Sequence, residues 1–169
     1  VALVTSFGYI YVFQEFGYGI LRAAERAIVP STVGELILGT GKELDGADYL
    51  SSEVGCQHQS SIISFDNAIY WIDAAKGLVC RHGQSGREDI SDTQLLHDFV
   101  AKELLYFDNR LAELAATGDI NIIGGFDHNS KDVFFTFKSV NPNAALRKNL
   151  TKTVAFNKAI SAVHGFFSF

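Results

Sequence analysis

The chain has 169 residues and a formal net charge of −5, and 47% of its residues are hydrophobic, 12% aromatic and 20% charged. This composition predicts one compact globular unit and argues against disorder, because apolar material for a core is ample. Lys and Arg are scattered along the chain, which disfavours tight binding of nucleic acid. No apolar run approaches the roughly 18 residues that are needed to span a bilayer. We therefore expect a soluble protein.

The first third of the chain predicts strands whose boundaries are poorly marked. Residues 2–13 are rich in Val, Tyr, Ile and Phe and are interrupted by Gly8, which predicts one bent strand or two short ones. Residues 20–29 fit a helix as well as an extended strand, and the sequence leaves that choice open. Residues 33–39 predict a short strand, whereas residues 44–50, which contain two Asp, predict a loop.

Residues 60–82 have the clearest pattern in the chain. Three short segments there are apolar and β-branched or aromatic, and they predict strands over residues 61–65, 68–73 and 78–80. Asp66-Asn67 is a turn pair between the first two segments, and Gly77 closes a second turn. The pattern predicts an antiparallel meander.

Residues 92–116 predict a long helix. Its apolar residues follow steps of three and four and are Leu96, Val100, Leu104, Phe107, Leu111 and Leu114. Ser91 and Gln94 have the spacing of a capping box, and Gly118 lies just past the end. About 25 residues is long for a globular helix, so a break into two near residues 107–109 is compatible with the pattern.

The chain beyond this helix repeats the meander pattern. Four segments predict strands over residues 119–125, 132–138, 151–157 and 162–169. Asp127-His128-Asn129-Ser130 divides the first two, and a long polar loop divides the second from the third.

Two meanders in one chain predict sheet repeats of the propeller type. A blade is a three- or four-stranded unit of roughly 40 to 45 residues, and a closed ring needs about 4 to 8 blades. We therefore predict a mainly β fold of β-propeller-type antiparallel meander blades with an inserted helical segment. The expected organisation is a blade region over 1–90, a helical insertion over 91–118 and further blade strands over 119–169. We also expect a piece of a longer polypeptide, with neighbouring chain covering its sheet edges.

Cys56, His58, Cys80 and His82 are the candidates for a metal site. In each pair a thiol and an imidazole lie two residues apart, so on a strand they share a face, and four zinc ligands could converge if the two segments were neighbouring strands. Lone Cys residues are nevertheless common as small buried hydrophobes. Residues 127–132 faintly resemble a calcium loop but lack its central Gly and bidentate Glu, and a hairpin turn explains them better.

The sequence contains no recognised catalytic motif. Residues 39–42, Gly-Thr-Gly-Lys, echo a phosphate-binding loop but lack its full spacing and its hydroxyl, so we interpret them as a turn. We therefore expect no enzyme and assign no catalytic, cofactor-binding or metal-binding residue. Whether Cys56, His58, Cys80 and His82 bind a metal stays open.

Two other classes of propeller are alternatives. A carbohydrate-binding propeller would need exposed aromatic side chains on one face, but the strand positions of the candidates favour the core. These candidates are Tyr18, Tyr49, Tyr70 and Trp71. A propeller hydrolase would need carboxylates that converge on a central pocket, whereas the candidates lie where turns are expected. These are Asp45, Asp48, Asp66, Asp73 and Asp89.

Several stretches in a fixed order carry a family resemblance. They are residues 38–41, 48–52 with 55–56, 61–63 leading to 69–73, 89–91, 124–127, 133–137, 153–157 and 164–169. In this order they resemble the β-propeller virion proteins of short-tailed bacteriophages, in particular the tail-nozzle or muzzle proteins of crAss-like phages. The resemblance covers residues 33–169, and the chain is shorter than members of that family.

The resemblance implies a structural virion protein at the portal-distal end of the phage tail, oligomeric around the DNA exit channel. The implied partners are other virion proteins, such as portal, ring or tail components, and copies of the chain itself. Contact with DNA would be passing and not specific, and no membrane is involved. An acidic protein suits such a channel, because a wall that repels phosphate lets DNA slide.

Overall fold

The structure is a computed structural model, and it describes residues 1–23, 27–31, 34–38, 44–93, 98, 100, 120–139, 151–157 and 162–168. These residues form a mainly β fold of antiparallel sheets. Three of the sheets have four strands each, and one hairpin has two. The described sheets do not close into a ring.

Sheet 1 is built from the first third of the chain. Its strands, in spatial order, are β1 (Ala2–Ser6), β2 (Tyr9–Phe13), β3 (Tyr18–Ala23) and β6 (Leu44–Ser51). The chain between β3 and β6 forms a separate hairpin of β4 (Ala27–Ser31) and β5 (Gly34–Leu38). β3 and β6 pair across this insertion, with two register shifts.

Sheets 2 and 3 are simple meanders. Sheet 2 contains β7 (Ile63–Ser64), β8 (Ile69–Asp73), β9 (Leu78–Gly83) and β10 (Gly86–Asp89). Sheet 3 contains β11 (Ile120–Asp127), β12 (Asp132–Ser139), β13 (Thr151–Asn157) and β14 (Ala162–Ser168). A 3-10 turn at Gln59–Ser61 precedes β7, and a short helix α1 at Ile90–Thr93 follows β10.

Two-residue turns with left-handed backbone set the register of the first hairpin in sheet 1 and of the first hairpin in sheet 2. Asp66 and Asn67 have φ of 47° and 53°, and Phe65 and Ala68 on either side exchange backbone hydrogen bonds of 2.9 and 3.1 Å. Such residues tolerate this conformation because their short side chains bond locally. Phe7 and Gly8 make the equivalent turn between β1 and β2, with φ of 53° and 78°.

Sheet 2 lies between sheets 1 and 3 and is covered on both faces. All five residues of β8 are buried, because alternate side chains enter two different cores. The core between sheets 1 and 2 contains Tyr11, Phe13, Tyr18, Val54, Cys56, Ile69, Trp71 and Cys80. The core on the other face contains Ile63, Phe65, Ala68, Tyr70, Ile72, Ala74, Val79, Ile90, Val100, Ile122, Val133, Phe135, Phe137, Val154 and Phe156.

The sheets approach one another closely at their first strands. β7 contacts both β1 and β11. At Gly124 on β11 an added Cβ would lie 2.5 Å from Cγ1 of Ile63 and 2.7 Å from the carbonyl oxygen of Ser61, so only glycine fits there. At later strands the rings of Phe13 and Trp71 fill the space, with centroids 5.1 Å apart. The three sheets therefore fan out from a shared edge formed by their first strands.

The connection from sheet 1 to sheet 2 is fixed by side chains of β8. The indole Nε1 of Trp71 donates to the carbonyl oxygen of Gly55 at 3.0 Å. The buried carboxylate of Asp73 accepts from the backbone N–H of Gly55 at 3.0 Å and of Lys76 at 3.1 Å. β8 therefore anchors both the connection between the two sheets and its own following turn.

The predicted meander strands are confirmed, and some boundaries needed correction. Residues 44–50, predicted as a loop, form strand β6, and the meander of residues 60–82 gains a fourth strand, β10. Residues 2–13 are two strands, and the described part of residues 20–29 is extended. The predicted helix is described only at its start, in α1, and at positions 98 and 100; its remainder lies outside the described residues.

We predict that Gly124→Ala destabilises the stack of sheets 2 and 3. The added methyl group must displace Ile63 or the backbone at Ser61, which we expect to lower the free energy of unfolding by about 1 to 3 kcal/mol in urea titrations. Gly125→Ala is the matched control, because an added Cβ there meets nothing within 4 Å. We expect it to change stability by less than about 0.5 kcal/mol. Equal losses for the two variants would contradict this packing.

Candidate functional site

Among the strand residues whose exposure the structure describes, the most exposed apolar group on a sheet face belongs to sheet 1. Its side away from sheet 2, which we call the outer face of sheet 1, carries Leu3, Ile10 and Tyr49 around the buried Val12. Leu3 is 62% exposed, Tyr49 59% and Ile10 38%. The phenol of Tyr49 donates to Oε1 of Gln14 at 3.0 Å, which orients its ring. This group of large apolar side chains is the candidate surface for contact with another protein.

The opposite end of the stack exposes a second sheet face. The side of sheet 3 away from sheet 2, which we call the outer face of sheet 3, carries Ile123, Phe134, Thr136 and Thr153. Ile123 is exposed, Phe134 is half-buried, and the two Thr hydroxyls lie 2.9 Å apart in a cross-strand hydrogen bond. Their mutual bond leaves this face less polar than its two hydroxyls suggest.

A polar contact joins sheets 1 and 2 beside the aromatic core. The hydroxyl of Tyr18 lies 3.2 Å from Nδ1 of His82, and the ring of Tyr11 packs edge-on to that imidazole with centroids 5.4 Å apart. Burial raises the pKa of Tyr18 to about 12. Burial, with a smaller contribution from the charge of Arg81, lowers the pKa of His82 below its ordinary value. The pair therefore favours a neutral imidazole.

The two Cys-His pairs are not on neighbouring strands. Cys56 lies in the connection before β7, and its thiol donates to the carbonyl oxygen of His58 at 3.1 Å. Cys80 is paired with Trp71 and Asp89 on the strands beside it, and its thiol lies 3.6 Å from the Asp89 carboxylate.

Both thiols are held in the protonated form by their surroundings. Burial raises the pKa of Cys56 to about 11, and burial together with Asp89 raises the pKa of Cys80 further. Both lie in the core between sheets 1 and 2. Among the residues that the structure describes, no group of three or more His, Cys, Asp or Glu side chains is placed to hold a metal ion.

The described carboxylates among those considered for hydrolysis do not converge. Asp73 is buried and accepts a hydrogen bond from the backbone of Gly55, and Asp66 lies in the turn before β8. Asp48 forms an ion pair with Arg22 at 3.1 Å, and Asp89 forms one with Arg87 at 3.3 Å. The expectation that they lie in turns was wrong for Asp48, Asp73 and Asp89, which are strand residues. Asp45 is also on a strand, and its side chain lies outside the described part.

The aromatic candidates for glycan contact divide into core and surface. Tyr18, Tyr70 and Trp71 are buried, as their strand positions predicted, whereas Tyr49 is exposed on the outer face of sheet 1. Leu3 and Ile10 of that face were not identified from the sequence. The signal was present, because β1 and β2 are apolar at successive positions and not only at alternate ones, which is typical of strands covered on both faces.

Residues 127–132, which connect β11 to β12, form a hairpin turn, as predicted. Oδ1 of Asp127 accepts from the backbone N–H of Asn129 at 2.8 Å, and Oδ2 accepts from the hydroxyl of Ser130 at 3.1 Å. Lys131 takes the left-handed conformation that closes the turn, with φ of 62°. The Asp127 oxygens are therefore used within the turn. Residues 39–42, which echo a phosphate-binding loop, lie outside the described residues.

We predict that the His82 contact makes stability depend on pH. Because the pKa of His82 is lower in the folded protein than its ordinary value of 6.5, the unfolded chain binds the proton more readily. The free energy of unfolding should therefore fall as the pH drops below about 6.5. Urea titrations between pH 7.5 and 5.5 should show a shallower slope for His82→Gln than for the wild type. A His82→Gln variant that keeps the full wild-type slope would refute the assignment.

In the described part of the chain, no helix has the length and apolar character needed to cross a bilayer. No curated protein matches the sequence. The crassvirus muzzle protein family matches residues 1–169, every position of the chain. The chain thus belongs to the crassvirus muzzle protein family and is a component of the phage particle.

Proposed function

We propose that this chain is a propeller-type structural segment of the tail nozzle at the DNA exit channel of the phage. It acts through its shape and through protein-protein contacts. The observation that carries the proposal is the fan of three four-stranded antiparallel sheets, whose first strands are neighbours. Propeller blades are four-stranded sheets arranged in this way around an axis. The family match supplies the virion context.

The exposed sheet faces support contact with further virion proteins. Sheet 2 shows how this chain buries a sheet, with aromatic and branched side chains on both faces. The outer face of sheet 1 exposes side chains of the same kind, in Leu3, Ile10 and Tyr49. Portal, ring or tail components, and copies of this chain, are the partners that this face would contact in the assembled particle.

The acidic balance supports passage of DNA without binding. A net charge of −5 repels phosphate, and Arg22, Arg81 and Arg87 on sheets 1 and 2 each form an ion pair with an acidic side chain. Affinity for duplex DNA depends on phosphate contacts by Lys and Arg, so such a surface offers little to hold it.

The roles of the carboxylates support a protein without catalysis. Those considered for hydrolysis stabilise turns, loops and ion pairs, as Asp73 does for the backbone of Gly55 and Lys76. We therefore further propose that the chain has no catalytic role.

The location can be tested with antibodies raised against the purified chain. Gold-labelled antibody should decorate the portal-distal end of the tail on intact phage particles seen by electron microscopy. Antibody absorbed with excess purified chain is the control and should give no decoration. Decoration of the capsid shell alone would contradict the proposed place in the nozzle.

The proposed lack of DNA binding can be tested by gel shift with a duplex of mixed sequence. At physiological salt we expect a dissociation constant weaker than about 100 µM, the weak end of ordinary non-specific binding. A basic non-specific DNA-binding protein run beside it serves as the positive control. A shifted duplex at micromolar concentrations of the chain would contradict the proposal that the chain does not bind DNA.

A further inference from the structure

We draw no further inference here: the strongest candidate, the apolar outer face of sheet 1 formed by Leu3, Ile10 and Tyr49, carries none, because nothing in the structure shows what covers it.

Discussion

The structure depends on the exclusion of water from both faces of sheet 2. β8 supplies Trp71 to one core and Tyr70 and Ile72 to the other, and all three are fully buried. A fully buried aromatic or branched side chain contributes about 1.5 to 3 kcal/mol, so this short strand carries a large share of a typical domain's stability. Removing either flanking sheet would expose one of these cores. Sheets 1, 2 and 3 therefore form one cooperative stack.

Within the described residues, such a stack ends in two outer faces, one on sheet 1 and one on sheet 3, that no further sheet covers. On sheet 1 that face is strongly apolar, and on sheet 3 it is partly so. In the proposed function such faces contact neighbouring virion proteins by the same kind of packing that buries sheet 2. The polar groups of the stack serve its structure, with the Cys56 thiol kept protonated by burial and the carboxylates of Asp73 and Asp127 bonded to backbone.

Local signals predicted much of this fold, and non-local pairing explains what they missed. Asp66-Asn67 specified a two-residue hairpin, and the apolar run in β8 specified a strand, because both depend on residues close in sequence. β6 was missed because its Asp and Gly residues are typical of loops. It is a strand only because β3 offers it a partner across an inserted hairpin. The Cys-His spacing suggested a shared site, yet chain topology places Cys56 outside any strand. The outer face of sheet 1 could have been found from its two-sided apolar pattern.

A cryo-electron microscopy reconstruction of the intact phage particle, at a resolution that traces strands, tests the central claim most directly. We expect a further sheet to lie face to face on Leu3, Ile10 and Tyr49, continuing the fan of sheets 1, 2 and 3 around an axis. A map in which that face is open to solvent, or in which these three sheets are not stacked, would contradict the claim.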